Sequence, residues 1–284
     1  MRPVLEATGL GVRYRRTWAL RDCSLSVPAG RVAALVGPNG AGKTTLMHAT
    51  AGLITPDRGS VTVYGEAAFM AQDKPLYDGF TVAEMLAFGR RLNPGWDDEA
   101  ARSRLQELGI GLDGKVGKLS GGQQAQVALT LVLARHPDLL VLDEPLANLD
   151  PLARHDVMRS IMAEVADRGL SVLLSSHVVS DLEDTCDWLV VLNGGRLQVS
   201  GDVEELLAEH RVLSGPAELA DGLAARARVV GATRTGRQAT LLVRGEPVLD
   251  PRWNVRPAGL EELVMAYLRS PESAALPGLA GVRG

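Results

Sequence analysis

Residues 37–45 read GPNGAGKTT, and two further segments follow in order, LSGGQ at 119–123 and LLVLDEP at 139–145. In the first, Gly37, Gly40, Gly42, Lys43 and Thr44 meet the G-x-x-x-x-G-K-[ST] spacing of a phosphate loop. Its glycines let the backbone curl so that N–H groups face phosphate oxygens, and a helix opening at the loop adds its positive end. Lys43 is placed to reach β- and γ-phosphates, and the Thr44 hydroxyl to ligate Mg2+. LLVLDEP is an apolar strand that delivers two carboxylates, Asp143 and Glu144, at its C-terminal end, where α/β sheets place their chemistry. A buried strand rarely ends in Asp-Glu without a charge to hold. Ser120, with the N–H groups of Gly121 and Gly122, forms a second anion cradle, although alone the segment is also an ordinary helix N-cap. Together the three segments imply binding and hydrolysis of a nucleoside triphosphate.

The surrounding sequence must supply strands and helices to hold these residues. Arg31 to Val36 is a short apolar run suited to a buried strand, and a helix begins at Thr45. Strand character at 4–7, 11–14, 24–27 and 59–65 makes the N-terminal part β-rich. A strand over 67–71 ends at Gln72. From 81 to 108 the pattern is helical, broken at Asn93-Pro94-Gly95, with a capping box at Thr81 and Glu84. A helix over 124–134, a strand over 138–142, a helix over 152–168 closed by Gly169, a strand over 170–175 and a hairpin over 188–199 follow. This alternation implies a mainly parallel sheet with crossover helices. Beyond about His210 the chain becomes rich in Arg, Ala and Gly, with strands expected at 226–230 and 238–243, a helix at 260–268 and a disordered last dozen residues.

Composition narrows the partners. The 284 residues are 46% hydrophobic with a formal net charge of -4, enough for a large core and without the basic field that holds nucleic acid or an anionic membrane. The two cysteines, Cys23 and Cys186, lie far apart, so free buried thiols in a reducing compartment are expected. No apolar run approaches a membrane span and the start lacks a leader's apolar region, so a cytoplasmic chain is expected, with membrane association only through another protein.

With the three segments in this order, residues 4–210 resemble the ATP-binding subunit of an ATP-binding cassette (ABC) transporter. The resemblance implies an α/β, P-loop NTPase-type fold with a mainly parallel sheet, an antiparallel β-subdomain and an α-helical signature subdomain. The nucleotide-binding domain would span 1–210, with its helical part at about 73–135, and a small α+β accessory domain would occupy 211–284. It implies ATP and Mg2+ as cofactors, with Asn39, Gly40, Ala41, Gly42, Lys43, Thr44 and Thr45 around the phosphates. Two such cassettes dimerise head to tail, each ATP lying between one phosphate loop and the other chain's Ser120, Gly121, Gly122 and Gln123. By the same resemblance Asp143 and Thr44 hold the metal, Glu144 is the general base, Gln72 senses metal and γ-phosphate, and His177 contacts the γ-phosphate and the attacking water. Asp150 matches a loop that communicates across the dimer, though Asp before Pro151 is also a helix cap. Tyr14 matches an aromatic that stacks on adenine.

Ala125 and Gln126 depart from the family, which commonly carries a polar residue and Arg there, so a charge contact is expected to be missing. Tyr77, Phe80 and Trp96 are candidates for the wall of a groove that receives a membrane permease, with burial in the core the expected fate of at least one of them. DKPLYDGFTVAEML and NPGWDDEAA, with the C-terminal region, resemble stand-alone bacterial exporter cassettes. The implied partners are a separate integral membrane permease and a second cassette, identical or similar, with no nucleic acid. Two other readings are a soluble cassette acting on ribosomes or DNA, disfavoured by the single cassette and absent basic linkers, and a nucleotide-dependent regulator.

Overall fold

The computed structural model describes residues 2–179, 182–183, 185–246 and 250–270. Strands β1 (Pro3–Tyr14) and β2 (Thr17–Pro28) form a long antiparallel ribbon, and β4 (Arg58–Val63) pairs with the other side of β1. The sequence suggested two strands where β1 runs as one. Gly9, at φ 58°, absorbs a pairing irregularity between Ala7 and Leu10 and lets the strand continue.

The central sheet has six strands, β3 (Val32–Val36), β5 (Ala67–Met70), β6 (Leu139–Leu142), β7 (Ser171–Ser176), β8 (Trp188–Asn193) and β9 (Arg196–Asp202). Their order is β5-β6-β7-β3-β8-β9, parallel except for β9. The apolar runs that announce these strands are buried on both faces, as a parallel sheet under two layers requires. Ala33, Leu35, Val141 and Leu173 face α1 (Lys43–Thr50) and the β1–β2 ribbon. Ala34, Val36, Leu142 and Leu174 face α4 (Gly121–Leu133) and α5 (Pro151–Arg168). Each fully buried leucine contributes roughly 2 kcal/mol.

Helices α2 (Val82–Leu92) and α3 (Asp98–Glu107) pack on α4 around Met85, Leu86, Leu105 and Val127. Thr81 accepts from the Glu84 N–H at 3.1 Å and Glu84 accepts from the Thr81 N–H at 2.6 Å, the reciprocal cap expected there. Trp96 belongs to this helical core, its indole lying against Gly89.

The C-terminal region is α6 (Val203–Glu209), β10 (His210–Pro216), α7 (Ala220–Ala224), β11 (Arg228–Thr235), β12 (Gln238–Arg244), β13 (Asn254–Pro257) and α8 (Leu260–Arg269). Its four strands form an antiparallel sheet in the order β11-β12-β10-β13. Leu213, Leu241 and Val243 pack with Leu223 and Trp253. Val212, Val230 and Leu242 instead join Leu263, Val264 and Tyr267 in the same hydrophobic core as the central sheet. The region expected as an accessory domain thus shares its core with the body of the protein; its expected disordered tail lies outside the described residues. Cys23 and Cys186 are free and buried. Among the described residues no helix is long and apolar enough to cross a membrane.

His210, fully buried, sits at the junction between body and C-terminal sheet. Its Nδ1 lies 2.6 Å from the Leu206 carbonyl, which only accepts, so Nδ1 carries the proton and Nε2 accepts from the Tyr267 hydroxyl at 3.0 Å. Burial pushes its pKa below the ordinary 6.5, with Arg244 adding to the shift and the Leu206 bond opposing it. Below pH 6.5 the unfolded chain therefore takes up a proton that the folded chain refuses, so stability is full above that value and is lost as pH falls below it. In urea denaturation the wild type should lose stability more steeply than His210→Gln between about pH 7 and about pH 5; parallel losses would show that His210 is not the titrating group.

Candidate active site

The phosphate loop leaves β3 at Val36 and enters α1 at Lys43. Gly42 has φ 103°, and a Cβ there would lie 2.6 Å from the Ala19 carbonyl, so both backbone shape and close packing require glycine. Lys43 is buried, and its Nζ donates to the Gly37 carbonyl at 2.7 Å and sits 3.4 Å from that of Pro38. An ammonium has three donors, so the loop orients the amine and still leaves it able to bind an anion.

A cleft of about 280 Å³ brings together Asn39 to Thr45 with Tyr14, Ala19, Gln72 and Glu144. Most of the expected phosphate-side residues therefore meet in one place. Tyr14, at the β1–β2 turn, is 51% exposed, which leaves its ring face available for stacking. Ala19 is a lining residue that the motifs did not mark.

Behind the cleft, Asp143 is buried with both carboxylate oxygens engaged. The Thr44 hydroxyl donates to Oδ2 at 2.7 Å, and the Ser175 hydroxyl donates to Oδ1 at 2.7 Å. Ser175 also accepts from the Glu144 N–H at 2.8 Å. Glu144 has φ 45°, a left-handed conformation that costs a non-glycine residue roughly 1–2 kcal/mol. That cost is offset by the Ser175 bond and by the Ala147 N–H, which donates to the Glu144 carbonyl at 3.0 Å. Glu144 lines the cleft, and its Oε2 lies 3.1 Å from Nδ1 of His177, which does not line the cleft itself but a neighbouring hollow shared with Glu144 and Ala147. Sequence reasoning missed Ser175, because a serine inside Leu-Leu-Ser-Ser carries no signal of what lies beside it in the sheet.

Ser120, Gly122, Gln123 and Asp150 line a different cleft, of about 430 Å³. Gly121 opens α4. The Ser120 hydroxyl accepts from the Gln123 N–H at 3.2 Å, and Gln123 Oε1 accepts from the Ser120 N–H at 3.0 Å. This cap leaves the Ser120 hydroxyl hydrogen free to donate. Asp150 caps α5 by accepting from the Ala153 N–H at 3.0 Å.

Two neighbouring surfaces bear on the site. α4 itself brings no charge at Gln126, and α3 supplies one beside it, since Arg104 Nη2 donates to Gln126 Oε1 at 3.2 Å and Arg104 pairs with Glu164 of α5 at 3.5 Å. Of the three aromatics, Trp96 is the one held in the helical core, while Tyr77 and Phe80 form an exposed cluster with Phe88, ring centroids 5.0 to 6.4 Å apart.

A phosphate loop after a central strand, backed by a buried carboxylate and an adjoining Glu–His pair, defines a nucleoside-triphosphatase. Residues 20–147 match the family model described as ABC transporter. The Nod factor export ATP-binding protein I of Burkholderia orbicola is 34% identical over 89% of this chain and 93% of its own. The thiamine import ATP-binding protein ThiQ of Shigella flexneri is 34% identical over 65% of this chain and 87% of its own. A solved ATP-binding subunit of an ABC transporter superposes with a TM-score of 0.65 at 28% identity, over 72% of this chain and 92% of the other. The chain belongs to the ATP-binding subunits of ABC transporters, which are ATPases coupled to transport.

Ser175→Ala removes both the donor to Asp143 and the acceptor for the Glu144 N–H. Losing hydrogen bonds to a charged group of this kind costs about 1.5–3 kcal/mol, so ATPase kcat should fall about 10- to 100-fold with the fold intact. A kcat within about twofold of wild type would deny Ser175 its positioning part.

Proposed function

We propose that this chain is the energising subunit of a bacterial exporter, binding ATP with Mg2+ in a head-to-tail pair of cassettes and driving a separate membrane permease. The observation that carries the reading is the separation of the two clefts. Phosphate loop, Gln72 and Glu144 share one, whereas Ser120, Gly122 and Gln123 share another, so a nucleotide touching both sets needs a second chain.

Within this reading Lys43 and the loop N–H groups bind the β- and γ-phosphates, and Tyr14 stacks on the adenine. Thr44 Oγ1 and Asp143 Oδ2, 2.7 Å apart, are the hard oxygen donors that Mg2+ takes alongside phosphate oxygens, so the residues fit that ion. Mg2+ held there would neutralise charge on the phosphates. Glu144 accepts the proton of the attacking water, while His177 orients the Glu144 carboxylate and contacts the γ-phosphate. Gln72 reports the state of the γ-phosphate to the helices that follow it, and Asp150 and Ser120 meet the partner cassette. Hydrolysis removes the charge that holds the pair closed, and the opening moves the permease.

Export is proposed on the likeness of DKPLYDGFTVAEML and NPGWDDEAA to exporter cassettes, beside a match to the Nod factor exporter over 89% of this chain. The permease contact is assigned to the exposed Tyr77–Phe80–Phe88 cluster, aromatic side chains of the kind that dominate binding energies once a partner covers them. The proposed site is at the cytoplasmic face of the plasma membrane. Residues 1–210 form the cassette in this reading, and 211–284 a C-terminal unit.

Glu144→Gln should abolish turnover while keeping ATP binding and accumulating a dimer in size-exclusion chromatography; undiminished turnover would remove Glu144 from the role of base. Lys43→Ala should lose nucleotide affinity, and normal affinity would contradict the loop assignment. Tagged Glu144→Gln, solubilised gently from host membranes with ATP, should copurify with a polytopic membrane protein. Recovery with ribosomal or DNA-associated partners alone would favour the soluble-cassette reading. Phe88→Asp should lower that copurification without changing ATPase activity in solution, and undiminished recovery would move the permease contact elsewhere.

A further inference from the structure

The β8–β9 turn joins the phosphate loop to the C-terminal helix. Asn193 pairs with Arg196 across Gly194 and Gly195, whose φ values of 55° and 74° make a type I′ hairpin turn. On its inner side the Gly195 N–H donates to the Ala41 carbonyl of the phosphate loop at 3.1 Å. The Gly195 carbonyl accepts from the Arg21 N–H at 2.7 Å and from Cys23 Sγ at 3.3 Å, both on β2. There is no slack in this packing: a Cβ on Gly195 would lie 2.7 Å from the Ala19 carbonyl, and one on Gly37 would lie 2.3 Å from the Leu192 carbonyl. The turn therefore buttresses both ends of the phosphate loop and the strand that carries Ala19 into the nucleotide cleft.

On its outer side the half-buried Asn193 Nδ2 donates to the Leu268 carbonyl at 2.8 Å. Leu268 lies in the last turn of α8, where carbonyls have no partner within the helix, and Asn193 supplies one. Amide orientation follows from the partner, since a carbonyl facing Oδ1 would set two acceptors together. Val191 on β8 packs in the same core as Leu263, Val264 and Tyr267 of α8, so the helix cannot drift from the turn without opening that core.

We propose that Asn193 is a positioning residue for nucleotide binding, which transmits the placement of α8, and with it the C-terminal sheet, to the phosphate loop. The C-terminal unit thereby sets the affinity of the loop for ATP. The proposal rests on the assignment of residues 37–45 as the nucleotide site.

The test is titration of the full-length protein with a fluorescent N-methylanthraniloyl ATP, alongside steady-state ATPase kinetics. Loss of one neutral hydrogen bond predicts that Asn193→Ala raises Kd for the probe and KM for ATP about 3- to 10-fold, with kcat at saturation within about twofold. Asn193→Asp, which sets an anion against the Leu268 carbonyl, should raise both further. A merely structural role would reduce the active fraction, and so kcat, at constant Kd. By linkage, probe binding to the wild type should slow amide hydrogen exchange over residues 260–269, a readout that holds even where the variants fail to fold. Unchanged affinity in both Asn193 variants, or unchanged exchange over α8, overturns the proposal alone. Wild-type failure to bind, or wild-type-like binding by Lys43→Ala, overturns the nucleotide-site reading beneath it.

Discussion

A carboxylate taken out of water must have its oxygens met, and Asp143, only 4% exposed, meets them with hydroxyls from two other elements. Thr44 comes from the first turn of α1 and Ser175 from the end of β7, so one buried anion at the tip of β6 ties three elements together. The sheet's register makes this possible. Leu142 pairs with Leu174, and Leu35 with Ser175, so β6, β7 and β3 end at one level and the phosphate loop departs beside the carboxylate. A one-residue slip of β7 against β6 would turn Ser175 to the opposite face and leave Asp143 with an unmet oxygen.

The same bond network holds the strained Glu144. Its side chain lines the cleft and meets His177, and the hydroxyl that accepts its N–H is the one that donates to Asp143. Structural and chemical demands therefore converge on Ser175, although it faces the buried carboxylate rather than the cleft. Both the positioning of the base and the burial of its acidic neighbour depend on a single rotor whose one hydrogen is already committed.

Much of this was legible in the sequence because the signals are local. Apolar runs marked the buried strands, Thr81 and Glu84 marked a helix start, Gly169 marked a helix end, and GPNGAGKTT marked its loop. What stayed hidden depends on partners distant in sequence. Ser175 reads as a polar residue in a strand until β6 lies beside it, and Arg104 reads as a helix-surface charge until Gln126 and Glu164 close around it. β13 escaped because all four of its residues are exposed, so backbone pairing with β10 carries it without an apolar pattern. β10 escaped because Val212 and Leu213 face opposite cores and the strand ends in Gly215-Pro216, which reads as a turn.

That division of β10 bears on how the C-terminal region works. An antiparallel sheet with its own second core, around Trp253, has the makings of an independent module. Its other face, however, is spent on the body, where Val212, Leu242 and Tyr267 complete the core that β8 and β9 begin. A module tethered by linker alone would leave the phosphate loop indifferent to it. One that shares a core, buries a His210–Tyr267 pair at the seam and hydrogen-bonds to the turn beneath the loop cannot move without cost at the nucleotide site. Communication between the two then needs no large rearrangement, because close-packed elements pass on displacements of a fraction of an ångström.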